Sequence, residues 1–173
     1  MHFLSAILSA AMVLGAAGQY PPGDQWNKKS ILKSDRRIEL PGIVLEPGTY
    51  VIKLQEGGEK RSIVQVLNRE ENRVLATFVA LPDHRVRPEG DVEFSFHQTG
   101  ANGQRVVQSW FYASDLVGLE FVYPKLRAKD LAKATDGHVM ASNKKDSEIV
   151  AVTPNGKEIV IDEPIQTARR KPQ

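Results

Sequence analysis

Beyond His2 the chain has three histidines, and one of them, His84, has carboxylates close by in sequence. Asp83 precedes it, and Glu89 and Asp91 follow within the same polar stretch, PDHRVRPEGD. An imidazole among carboxylates could act as an oriented general base or as part of a metal site. With His97 these residues define one candidate set, that of a hydrolase or metal-dependent enzyme. The spacing does not select that chemistry. No two histidines stand at HxH or HExxH intervals, and solvated loop histidines account for the same residues. His97 is expected on the outward face of a strand, and His138 just after a helix. No GxSxG elbow and no cysteine supplies a nucleophile. Ser109 and Ser114 lie near Asp115 but lack a neighbouring base. Glu70-Glu71 and Asp162-Glu163 are acidic pairs in charged turn or tail contexts. No cofactor and no metal is expected.

A second candidate is aromatic. SWFYASDLVGLEFVYPK (Ser109 to Lys125) carries Trp110, Phe111 and Tyr112 in a row and ends on Phe121, Val122 and Tyr123. Trp110 and Tyr112 share one face of a strand and could offer rings to a glycan or peptide. Aromatics on both faces also suit a strand buried on both sides, in which case all three belong to the core.

The elements that must position these residues read as strands. Ile38 and Leu40 alternate with polar neighbours, Pro41-Gly42 interrupts, and Ile43 to Leu45 resume. Glu46-Pro47-Gly48 is a turn into Thr49 to Leu54. SIVQVLN (Ser62 to Asn68), RVLATFVAL (Arg73 to Leu81), DVEFSFHQ (Asp91 to Gln98) and RVVQSWFY (Arg105 to Tyr112) continue the series. Pro82 to Gly90 reads as a loop, and Ala113 to Leu119 as a turn around Asp115 and Gly118. Strands at this spacing predict a mainly β protein, an antiparallel sandwich or partly open barrel. One helix is expected near 124–135, opened by Pro124, with Leu126, Leu131 and Ala134 on one face and Asp136-Gly137 at its end. A polar tail over 142–173 carries a possible hairpin, in which Glu148 to Val152 and Lys157 to Asp162 flank an Asn-Gly tip.

The two ends and the composition bound where such a domain works. An apolar run from Phe3 to Ala17 is followed by Gly18, with small residues at 15–18, which predicts a signal peptide over 1–18. Residues 19–34 read as a linker, with Trp26 as an anchor, and 35–141 as the β-rich domain. The chain has 173 residues and no cysteine, so neither a disulfide nor an acylated lipoprotein cysteine is possible. A net charge of +2, from 23 basic and 21 acidic residues, gives little attraction for nucleic acid. The expected setting is the periplasm or the outside of a bacterial cell, with no integral membrane segment after cleavage.

Three runs in series carry a resemblance. IELPGIVLEPGTYVIKL, then IVQVLN, then EFVYPK resemble a group of exported bacterial proteins with the pattern PGxVLxPGTYxxKL, IVQVxN, EFVYPK. The match spans roughly Ile38 to Ala134 and implies an exported β-rich domain. No activity and no site residues come with it. LEPGTYVIKL is also loosely similar to a strand of immunoglobulin-like and carboxypeptidase-regulatory-like sandwiches, a likeness of fold only. The function expected is an exported, non-enzymatic module that binds a protein or glycan partner, with the enzyme built on His84, Asp83 and His97 as the alternative.

Overall fold

Period-two patterning dominates the chain, and the computed structural model turns it into two sheets and one helix. It describes residues 28–57, 61–87, 90–97, 105–142 and 148–161. The N-terminal apolar run, Trp26 and Glu89 lie outside the described residues.

The strands of the larger sheet are β1 (Lys29–Ser34), β2 (Ile38–Leu40), β3 (Ile43–Leu45), β4 (Gly48–Gly57), β5 (Ser62–Asn68), β6 (Val74–His84), β7 (Glu93–His97), β8 (Arg105–Phe111) and β9 (Val117–Phe121). Their hydrogen-bonded order is β1-β4-β5-β6-β9-β8-β2-β3, with β7 also on β8. β8 is therefore interior. β7 runs along one side of it, and β9 and β2 divide the other. After β10 (Tyr123–Pro124) comes α1 (Lys125–Thr135). β11 (Val139–Ser142), β12 (Ile149–Val152) and β13 (Glu158–Val160) complete a second sheet in the order β10-β11-β12-β13.

The larger sheet folds over on itself. β1 and β8 are far apart in strand order, yet the buried Trp110 indole donates to Ser30 Oγ at 2.9 Å. One apolar cluster takes Leu32 from β1, Leu45 from β3, Ile52, Val64 and Phe78 from the middle strands, and Trp110 from β8. Ala128, Leu131 and Ala132 of α1 and Val150 and Val152 of β12 join it. Among the described residues the architecture is the expected mainly β one with a single helix, and no barrel closes. Among the described residues no helix is long and apolar enough to cross a membrane.

Local reasons for the elements are visible in the motifs. In the PGTY run the Tyr50 ring lies over Gly48 and its hydroxyl donates to the Glu46 carbonyl at 2.9 Å, which locks the turn. Asn68 ends β5 by accepting on Oδ1 from the backbone amides of Asn72 and Arg73. Asp136 stops α1 in the left-handed region, at φ 53°.

Several expectations are corrected. Lys29–Ser34, read as linker, is a strand on β4, because Ser30 and Leu32 alternate inward between exposed Lys29, Ile31 and Lys33. Asp83 and His84 are not loop residues. They end β6, opposite Gly118 and Val117, so Gly118 belongs to a strand rather than to the turn. Leu126 is 82% exposed and Ala134 is exposed, while Ala128, Leu131 and Ala132 form the buried stripe. Small alanines let the helix backbone approach the sheet, which the size-weighted sequence pattern overlooks. The expected hairpin is present, with β12 and β13 joined through Thr153–Lys157. It is no appendage, since every residue of β12 is buried.

Candidate functional site

The histidine-centred set does not assemble. His84 stands opposite Val117 at the end of β6, and His97 opposite Val106 on β8. Glu120 and Ser109, which face each other, lie three residues from Val117 and from Val106 respectively. The two histidines are thus separated by five or six residues of strand, roughly 17–20 Å. His84 is exposed. His97, expected to point outward, is buried, because Tyr123 covers its side of β7 with a ring edge-on at 6.1 Å. Alternation identifies the side a residue faces, not what covers that side. Burial lowers the His97 imidazole to about 4, against a smaller upward pull from Glu39, so it is neutral near pH 7. Glu39 in turn holds Arg127, and Tyr123 donates to the Val107 carbonyl at 2.6 Å. These groups tie α1 to β2 and β8. Among the described residues no three histidine or acidic side chains gather as a metal site.

The aromatic pair does not present two open rings. Trp110 is buried. Tyr112 is half-buried against the core, with the Lys28 ammonium 5.9 Å above its ring. Phe111 is buried beneath the Arg85 guanidinium, 4.9 Å from its ring centre. Gly118 makes room for that ring, since a Cβ there would lie 2.5 Å from Phe111 Cδ1.

A polar strip does assemble, on the face of the larger sheet away from Phe78, Ala80 and Trp110. Strand register builds it. Leu81 on β6 faces Glu120 on β9, Glu120 faces Ser109 on β8, and Ser109 faces Ser95 on β7. Side chains directly opposite in register share a face. Asp83, two residues beyond Leu81, lies diagonal to Glu120 on the same face. The ladder between β7 and β8 shifts register at Ser95/Phe96, leaving Gln108 as an extra residue on β8. That bulge keeps both Val107 and Trp110 in the core and lets Gln108 join Ser109 on the polar side.

The Ser95 and Ser109 hydroxyls lie 2.5 Å apart, and either can be the donor. Ser109 acts to lower the Asp83 carboxyl, and Gln108 to lower that of Glu120. Desolvation is the main reason the Glu120 carboxyl rises to about 7, and the neighbouring Asp83 charge adds to it. Its cross-strand neighbour Leu81 packs with Val79 onto Val122, Met140, Ile149 and Ala151, an apolar cluster beneath the second sheet. Asp83 is raised too, first by burial, against lowering contacts from His84 and Ser109. Among the described residues neither carboxyl has a cation within ion-pair distance. The nearest arginine on this face, Arg85, is taken up by Glu93 at 3.0 Å and by the carbonyls of Asp115 and Tyr112.

Of the residues expected to act, only Asp83 belongs to this strip. Glu120, Gln108 and Ser95 were not singled out in the sequence. Their signal was faint: Glu120 is a lone acid inside VGLEF, an interior strand.

Fold and strip together define the class: a two-sheet, mainly β protein with one packed helix and an acidic, hydroxyl-bearing strip on a sheet face. Comparison with protein families, with curated proteins and with solved structures gives no match to this chain.

Proposed function

We propose that this protein is an exported, non-enzymatic β-rich module that binds a protein partner on the outer face of its larger sheet. The observation that carries the reading is the Asp83–Glu120 pair. Two adjacent, half-buried carboxyls lack a cation among the described residues, and a partner's Lys or Arg would supply one. Exposed Val86, Val92, Leu116 and Val117 lie at the end of the sheet where β6 ends and β7 and β9 begin, a short distance along from Asp83. An acidic anchor near apolar side chains suits a protein partner. A glycan partner has less to use here, since the rings of Trp110 and Phe111 are covered. Export is supported by the Met1–Gly18 segment and by the resemblance carried by PGTY, IVQVLN and EFVYPK.

The test is an array of apolar peptides centred on Arg or Lys, probed with the wild type and with the D83N/E120Q double variant. Binding by the wild type that drops at least tenfold in the variant supports the reading. Equal signals from the two proteins, or none, overturn it.

A further inference from the structure

We infer that Asp83 and Glu120 hold a single proton between them, so that the strip is a pH-sensitive switch carrying one negative charge when that proton is bound and two when it is lost. β9 sets Glu120 between two strands, each offering it something different. From β6 comes Asp83, a second carboxyl on the diagonal, with apolar Leu81 directly opposite. From β8 come Ser109 and Gln108, both neutral. Beyond them on β7 stand Ser95, and Glu93, which is committed to Arg85. Among the described residues the cluster beneath the second sheet at Leu81 offers apolar Met140, Ile149, Ala151, Val122 and Ile161. The charged groups near Asp83 are His84 and Arg85, and Arg85 is directed to Glu93 and two carbonyls.

Two carboxylates in such surroundings repel each other, and burial strengthens the repulsion. Keeping one proton removes it. The surroundings indicate which group keeps it. Asp83 accepts from the His84 amide at 2.8 Å, and the neighbouring Ser109 also favours its ionised form. Glu120 has only Gln108 acting to lower it, against the larger effect of burial and the Asp83 charge. The proton therefore resides mainly on Glu120, and its loss near neutrality doubles the charge of the strip. If the strip also binds a cationic partner, a consequence that rests on the reading above, occupancy rises with pH across this step.

The deciding experiment is a carbon-13 NMR titration of the side-chain carboxyls in the full-length protein from pH 3 to 9, without ligand. Glu120 is expected to titrate with a midpoint of about 7, with a smaller inflection of the Asp83 signal at the same pH, as for two coupled sites. In D83N the Glu120 midpoint is expected to move to lower pH. A Glu120 midpoint in the ordinary carboxylate range overturns the inference, and so does an Asp83 signal blind to the Glu120 step. Both are read on the wild type, so they stand even if D83N does not fold. Peptide binding plays no part in the measurement, so loss of the binding proposal leaves this one intact.

Discussion

Arg127 on α1 grips Glu39 on β2 in a two-point ion pair, Nε to Oε1 at 2.6 Å and Nη2 to Oε2 at 2.8 Å, across 88 residues of chain. Glu39 is 8% exposed, so its charge leans on this donor fork. Arg127→Ala is expected to destabilise the protein by about 2–4 kcal/mol, the cost of taking this two-point donor from a buried carboxylate. Arg127→Lys keeps the charge but not the fork and should lose less. Adding Glu39→Gln to Arg127→Ala should recover part of the loss. Urea unfolding of the four proteins checks this, and additive effects would mean the pair is not coupled.

Gly118 is fixed by Phe111. The ring is buried under Arg85, so it cannot swing away from a new methyl group. Gly118→Ala should cost about 2 kcal/mol or more from overpacking. In a Phe111→Leu background the same change should cost much less. The double-mutant cycle, read by thermal or urea unfolding, exposes that coupling. An equal cost in both backgrounds would place the strain elsewhere.

His97 and Glu120 push stability in opposite directions with pH. An unfolded imidazole takes up a proton at about 6.5, whereas His97 in the fold does so at about 4. The unfolded chain binds more protons in between, so this contribution is lost as pH falls from about 6.5 to about 4. Glu120 has the reverse sign. It keeps its proton in the fold up to about 7 against 4.5 in the unfolded chain, so stability declines as pH rises through that window. Each effect reaches up to about 3 kcal/mol at 1.36 kcal/mol per tenfold. They overlap and partly cancel. Relative to the wild type, Glu120→Gln should show stability climbing with pH over the His97 window. His97→Gln should show it falling over the Glu120 window. Chemical unfolding at intervals of half a pH step separates them, and parallel curves for the three proteins would contradict both assignments.

Much of this fold was legible because alternation survives wherever one face of a strand is covered. The strands from Ile38 to Trp110, the helix opened by Pro124 and the Asn-Gly hairpin all follow from local signals. The polar strip was not legible, for a physical reason. It is made by register, and register depends on pairings between distant segments. Nothing local places Glu120 beside Asp83, and a one-residue shift of β9 would turn Glu120 into the core. The bulge at Gln108 is equally silent in sequence. Conversely, PGTY, IVQVLN and EFVYPK, the runs that looked most distinctive, supply turn locks and a buried tyrosine, Tyr50, Asn68 and Tyr123, which hold the frame. Distinctive residues here belong to folding, and the candidate site is written in ordinary ones.

The C-terminal hairpin gives the last test, because its composition suggested a separable tail and its packing makes it part of the core. β12 lies between β11 and β13, with Val150 and Val152 in the main core and Ile149 and Ala151 in the smaller cluster. Glu158 at the start of β13 pairs with Lys125 at 2.7 Å and Lys129 at 3.0 Å, which fastens the hairpin to α1. Those two lysines draw the Glu158 carboxyl below its usual range. A chain cleaved anywhere in 143–147 should therefore keep both pieces together. After limited proteolysis the fragments are expected to co-elute on gel filtration and to separate only in denaturant. Truncation before residue 148 should expose Val139, Ala141 and Leu131 and abolish cooperative unfolding. A released C-terminal peptide beside a main fragment that still unfolds cooperatively would show that the second sheet is dispensable, and with it the apolar cover that sets Glu120 apart from an ordinary surface acid.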